Sequence, residues 1–91
     1  MVKIAVIGIG YWGPNLVRNF SSLSNVQVTV LCDYLESSAH AVRSRFCPQA
    51  KVFSDYQKIL QEDIDAVVIA TPIQTHAELG KFFLKAGKHV L

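Results

Sequence analysis

The feature that most constrains this chain is positional. A run of mostly β-branched residues, VKIAVI at 2–7, is followed at once by Gly8, Gly10 and Gly13, and then by an amphipathic helical pattern. Consecutive rather than alternating apolar residues suit a strand buried on both faces, as in a parallel sheet. Each glycine costs backbone entropy, so three between a strand and a helix require a use for bare main chain: tight packing, or a ligand that approaches the backbone.

The same alternation continues to the end of the chain. Trp12, Leu16, Val17, Phe20 and Leu23 recur at helical spacing, with Pro14 in the first turn where its missing N–H is harmless. Val26–Cys32 reads as a second strand, and Leu35, Ala39, Val42 and Phe46 as the apolar stripe of a second helix. Lys51–Phe53 is a short third strand, after which Ser54 and Gln57 form a capping-box pattern for a brief helix carrying Tyr56, Ile59 and Leu60. Ala66–Ala70 is a fourth strand. Thr75 and Glu78 repeat the capping-box pattern before a fourth helix with Leu79, Phe82, Phe83 and Ala86 on its buried stripe and Gly87 as terminator. Lys88–Leu91 begins a fifth strand. Strands and helices alternating in this way predict an α/β doubly wound parallel sheet of the Rossmann type, with right-handed crossovers and strand order 3-2-1-4-5. That order puts a topological switch point between strands one and four, where ligands bind at the carboxyl ends of the strands.

Composition narrows the partners. At 91 residues the chain is at most one domain, residues 1–91, and a net charge of +2 with half the residues apolar fits a globular fold. The nine Lys and Arg are scattered, without a basic run or aromatic interleaving, so no nucleic-acid partner is expected. The apolar run at 4–9 is too short for a secretory core, no segment approaches a membrane span, and Cys32 and Cys47 read as reduced cytoplasmic thiols. His40, His76 and His89 are separated by whole elements, so no metal site is expected. Cys32, ending a buried strand, reads as a small core residue rather than a nucleophile. Asp63 and Asp65 precede strand four, at the far end of the sheet, and read as a solvated turn.

Gly8, Gly10 and Gly13 match G-x-G-x-x-G in the context that gives the motif meaning. Gly8 is assigned to the tight turn, Gly10 to close approach of a pyrophosphate, and Gly13 to helix–strand packing, with free N–H groups and the helix dipole holding the anion. Asp33 ends strand two, twenty residues beyond Gly13, where a carboxylate binds an adenosine ribose. The same residue could instead, or in addition, cap the second helix with Glu36. An acid there would repel a 2′-phosphate by about 4 kcal/mol at an effective dielectric near 20, so NAD is preferred over NADP. Arg43 and Arg45, toward the far end of the second helix, are not expected to reach that phosphate. Tyr11 and Trp12 either pack on a dinucleotide or seal the base of helix one. Thr71, Pro72 and His76 follow strand four, as an ordinary turn and helix start or as cofactor contacts.

Four segments taken together, GIGYWGPN, LCD at 31–33, ATPIQTH at 70–76 and AGKHVL at 86–91, resemble the amino-terminal half of the Gfo/Idh/MocA family of nicotinamide-dependent oxidoreductases, through all 91 residues. The resemblance implies that Gly8, Ile9, Gly10, Tyr11, Trp12 and Gly13 surround the pyrophosphate of NAD, that Asp33 binds the adenosine ribose, and that Thr71, Pro72 and His76 line the nicotinamide side. It implies a sugar-type substrate, oxidised or reduced at a secondary carbon, and a homo-oligomer made through a second domain. The GYWGPN variant is similar to members acting on nucleotide-linked sugars.

The family's E-K-P motif, with its lysine near the reacting carbon, follows the segment matching GKHVL. The catalytic lysine and the substrate domain are therefore expected beyond Leu91, and no catalytic residue is assigned within 1–91. The truncated stretch is expected to lack turnover by itself and, through an uncovered fifth strand, to self-associate. A rival reading is a module that senses or scaffolds around a dinucleotide without catalysis, and a third is a unit for another adenine-containing ligand.

Overall fold

A computed structural model describes residues 1–10 and 12–91. Five parallel strands, β1 (Val2–Ile7), β2 (Val26–Cys32), β3 (Lys51–Phe53), β4 (Ala66–Ile69) and β5 (His89–Val90), form one sheet in the order β3-β2-β1-β4-β5. This is the predicted order, with β1 central and the switch point between β1 and β4. The helices are α1 (Gly13–Ser21), α2 (Glu36–Phe46) and α3 (His76–Lys85).

The continuous apolar strands bury both faces. Ile4 and Val6 of β1 pack with Val17, Ala39 and Val42 beneath α1 and α2, while Ala5 and Ile7 pack with Ile59, Leu79 and Phe83 on the α3 side. Phe83 is fully buried, and its ring forms an edge contact with Phe82, which meets Tyr56 edge-on in turn.

β2 does not run straight. Its pairing with β1 skips a residue, Ile4 opposite Val28 and Ala5 opposite Val30, so Thr29 is extra, and its hydroxyl lies 3.4 Å from the Ile4 carbonyl oxygen. The skip inverts the side-chain phase. Val28 faces the α1 and α2 core, whereas Val30 and Cys32 face the α3 core.

Local chemistry differs from the sequence expectation at three caps. The third helix is a 3-10 turn, Tyr56–Gln61, capped by Asp55 rather than Ser54: the Asp55 carboxylate accepts the Gln57 N–H at 2.9 Å. Asp33 does not cap α2, because that helix starts one residue after Leu35, and Asp33 instead accepts the Leu35 N–H at 2.7 Å in a turn of its own. Thr75 stands at the start of α3, but its hydroxyl donates to the Pro72 carbonyl at 2.7 Å, so the expected capping box with Glu78 does not form. Leu23, Leu35, Leu60 and Ala86 are exposed rather than on buried stripes.

At the pole opposite the switch point, Asp63 pairs with the Lys3 ammonium at 2.8 Å and Asp65 accepts the Lys3 backbone N–H at 2.8 Å. The expected solvated turn therefore also ties the start of β4 to the start of β1. No helix among the described residues is long and apolar enough to cross a membrane.

Candidate dinucleotide site

A cleft of about 610 Å³ opens at the carboxyl ends of β1, β2 and β4, within the usual size of small-molecule sites. Gly8, Gly10 and Trp12 line it from the first crossover, Asp33 and Tyr34 from the end of β2, and Thr71 and Pro72 from the end of β4.

The three glycines have three different causes. Gly8 adopts φ +90°, and a Cβ there would stand 2.8 Å from the Thr71 nitrogen and 2.9 Å from the Ala70 carbonyl carbon, so it allows the two crossovers to touch. A Cβ on Gly13 would meet the Gly8 carbonyl oxygen at 2.6 Å, which forbids a side chain where α1 packs on the turn. Gly10 needs neither. Its φ is not positive, and among the described residues a Cβ would meet nothing within 4 Å. The protein's own packing therefore does not require glycine at this cleft-lining position, whereas a ligand resting on the backbone would.

The start of α1 matches that requirement. Trp12 at its N-cap makes no side-chain cap, Pro14 occupies the first turn, and no acidic residue lies there. Helix N–H groups and the positive dipole end thus remain available to an anion. Among the described residues, none of the cleft lining is Lys, Arg or His, so main chain and dipole would have to hold a diphosphate.

Asp33 is held toward the turn. Its Oδ2 accepts the Ile9 N–H at 2.6 Å and its Oδ1 the Leu35 N–H at 2.7 Å. Each carboxylate oxygen retains a lone pair, so ribose hydroxyls can still donate to it. Ile9 is itself buried in the core and does not line the cleft; its N–H is engaged by Asp33. Trp12 is 65% exposed and lines the cleft, which favours the ligand-facing alternative for this residue over sealing helix one. Tyr11, expected beside the pyrophosphate, lies outside the described residues.

The β4 loop is braced by a short relay. The Thr75 hydroxyl spends its one proton on the Pro72 carbonyl, so the Thr71 hydroxyl, 2.7 Å away, donates to Thr75. The His76 Nε2 donates to the Thr71 carbonyl at 2.7 Å. His76 does not line the cleft; it fixes the turn that presents Thr71 and Pro72. Cys32 does line it, but burial, and then the Asp33 charge, push its thiol up to about 12, leaving it a neutral wall atom. Arg45 packs over the Phe46 ring and does not line the cleft. Among the described residues no cluster of His, Cys, Asp or Glu could hold a metal.

The sequence assigns Ser54 and Glu78 to caps and Tyr56 and Leu79 to apolar stripes and gives Tyr34 no role, yet all five line the cleft. They come from three separate segments, after β2, after β3 and at the start of α3, and no local pattern marks them as cleft-lining.

A family profile described as GFO_IDH_MocA, oxidoreductase family, NAD-binding Rossmann fold, matches residues 2–91. The chain is 35% identical to a glycosyl hydrolase family 109 protein of Porphyromonas gingivalis, over 97% of this chain and 21% of that protein. It superposes with TM-score 0.90 and 26% identity on scyllo-inositol dehydrogenase from Lactobacillus casei, solved with bound NAD(H) and scyllo-inositol, covering 99% of this chain and 27% of that one. A 3-ketoreductase from Actinomadura kijaniata, solved with NADP and TDP-benzene, gives TM-score 0.89 and 27% identity, over 99% and 28%. The chain thus spans about a fifth to a quarter of the length of these relatives.

Proposed function

The chain belongs to the Gfo/Idh/MocA oxidoreductase family, and from that premise we propose that it is the cofactor-holding part of an enzyme that passes hydride between NAD and a secondary alcohol or ketone of a sugar-like substrate. NAD, when bound, supplies the hydride acceptor or donor. The rest is the work of this chain's residues. Gly10 and the open first turn of α1 receive the diphosphate, with Gly8 and Gly13 holding that turn in shape. Asp33 takes the adenosine ribose hydroxyls and rejects a 2′-phosphate, favouring NAD over NADP. Trp12, Thr71 and Pro72 flank the nicotinamide half, and His76 keeps their loop in place. Tyr11 joins the diphosphate contacts. Assembly as a homo-oligomer and a cytoplasmic setting belong to the same reading.

The single observation that carries it is Gly10, a cleft-lining glycine that neither backbone conformation nor neighbouring protein atoms require. Calorimetry of this chain with NAD tests it: saturable binding is expected, weaker by at least tenfold with NADP. Absence of NAD binding by the folded chain overturns it.

The hydrolase name of the Porphyromonas gingivalis relative favours a second reading, in which the parent protein cleaves a glycosidic bond around the same cofactor domain. The full-length protein given glycoside and NAD separates them. Net NADH accumulation marks a dehydrogenase, and sugar release with no net NADH marks a hydrolase.

A further inference from the structure

The two sides of the cleft differ in what they offer a ligand. At the start of α1, backbone N–H groups remain available to donate. On the β4 side the direction of both threonine hydroxyl protons can be followed. The relay ends at Pro72, whose carbonyl accepts the Thr75 backbone N–H at 2.9 Å and the Thr75 hydroxyl at 2.7 Å. The Thr75 oxygen is left only to accept, so the Thr71 hydroxyl, 2.7 Å away, gives its one proton to Thr75. The Thr71 carbonyl is taken by His76. Thr71 and Thr75 both line the cleft, and Thr71 abuts the glycine turn, its Cγ2 2.9 Å from the position of a Cβ on Gly8. The Thr71 hydroxyl thus has lone pairs to offer beside that turn and no proton.

We propose that Thr75 is a positioning residue: by fixing the direction of the Thr71 proton, it makes the β4 side of the cleft an acceptor and confines phosphate oxygens to the α1 side. The inference rests on the dinucleotide reading above. An ionised phosphate oxygen only accepts hydrogen bonds, so it is drawn to the α1 N–H groups and repelled by the lone pairs of Thr71. Were the Thr71 proton free to turn outward, a competing donor would stand beside Gly8, and a diphosphate could slide toward β4. The direction of one proton therefore sets the register of the dinucleotide across the cleft. The alternative role for Thr75 is to brace its turn through Pro72, which affects stability and weakens every ligand alike.

The test is calorimetry of the whole chain with inorganic diphosphate and with NAD. Thr75→Val removes the hydroxyl that takes the Thr71 proton, and is expected to tighten inorganic diphosphate binding about 3- to 10-fold, since Thr71 can then donate. Thr75→Ser, which keeps the hydroxyl, should bind as the native chain does, and adding Thr71→Val to Thr75→Val should abolish the gain. In the native background Thr71→Val should leave diphosphate affinity within about twofold, because that proton never reaches the ligand. Diphosphate binding that is unchanged or weaker in Thr75→Val, or a loss of about tenfold in Thr71→Val, overturns the inference while the NAD reading stands. A native chain that binds neither ligand removes both. Should Thr75→Val not fold, Thr75→Ala, which also lacks the hydroxyl, and Thr71→Val decide the matter.

Discussion

The Asp33 carboxylate accepts the Ile9 backbone N–H at 2.6 Å, joining the tip of β2 to the glycine turn that follows β1. The residue assigned to the cofactor's ribose thus also shapes the loop assigned to its diphosphate. Binding and folding are coupled at this bond, and substitutions there act on both.

Replacing Asp33 with Asn leaves one carbonyl oxygen for two N–H donors and turns an amide donor toward one of them. Chemical denaturation should register a loss of about 1 to 3 kcal/mol. Calorimetry should show a narrowed preference for NAD over NADP, since the charge that repels the 2′-phosphate is gone. An unchanged preference would remove Asp33 from cofactor selection.

Gly8 and Gly10 should part company when each becomes Ala. At Gly8 the positive φ and the 2.8 Å approach to Thr71 predict a destabilisation of about 1 to 3 kcal/mol. At Gly10 nothing obstructs the methyl group, so stability should stay within about 1 kcal/mol of native while NAD affinity falls by about tenfold or more. Equal stability losses at the two positions would show that Gly10 serves packing.

The two cysteines should resist alkylation in the folded chain. Burial raises both thiols, Cys32 to about 12, and both are buried from reagent. The sign for stability follows from the unfolded thiol ionising near 9.0: Cys32 favours the folded state fully below that pH, and its contribution declines as pH rises toward about 12. Cys32→Ala should flatten the alkaline arm of a stability–pH curve. Rapid labelling of native Cys32 at neutral pH would contradict this.

At the other pole, the Lys3–Asp63 pair should leave a faint signature at both ends of the pH scale. Their hydrogen bond, with the mutual charge, lowers Asp63 below 3.8 and raises Lys3 above 10.5. The stabilisation is complete between those values. It fades as pH falls below 3.8 through the depressed Asp63 value, or rises above 10.5 through the raised Lys3 value. Both groups are exposed, so added salt should erase most of it, and Asp63→Asn should remove the salt sensitivity, as seen in urea midpoints.

How far the sequence alone reaches depends on whether a feature is local. The bounds of β1, β2 and β3, the strand order, the tight turn at Gly8 and the helix packing at Gly13 follow from periodicity and spacing, because each reflects burial on both faces or one tight turn. Caps were harder to read. Asp55 outcompeted Ser54, and Thr75 satisfied Pro72 instead of Glu78, since a short polar side chain chooses among several nearby backbone groups only once the turn is set. The wall of the cleft made by Ser54 and Tyr56 with Glu78 has no local signal, because two segments distant in sequence meet there only through the sheet.

The extra residue at Thr29 has one more consequence. A strand pair with a half-step in its middle cannot glide: any displacement that rematches the lower rungs of β1 and β2 mismatches the upper ones. The ladder is keyed, and the carboxylate beyond its last rung arrives at the glycine turn in a single alignment.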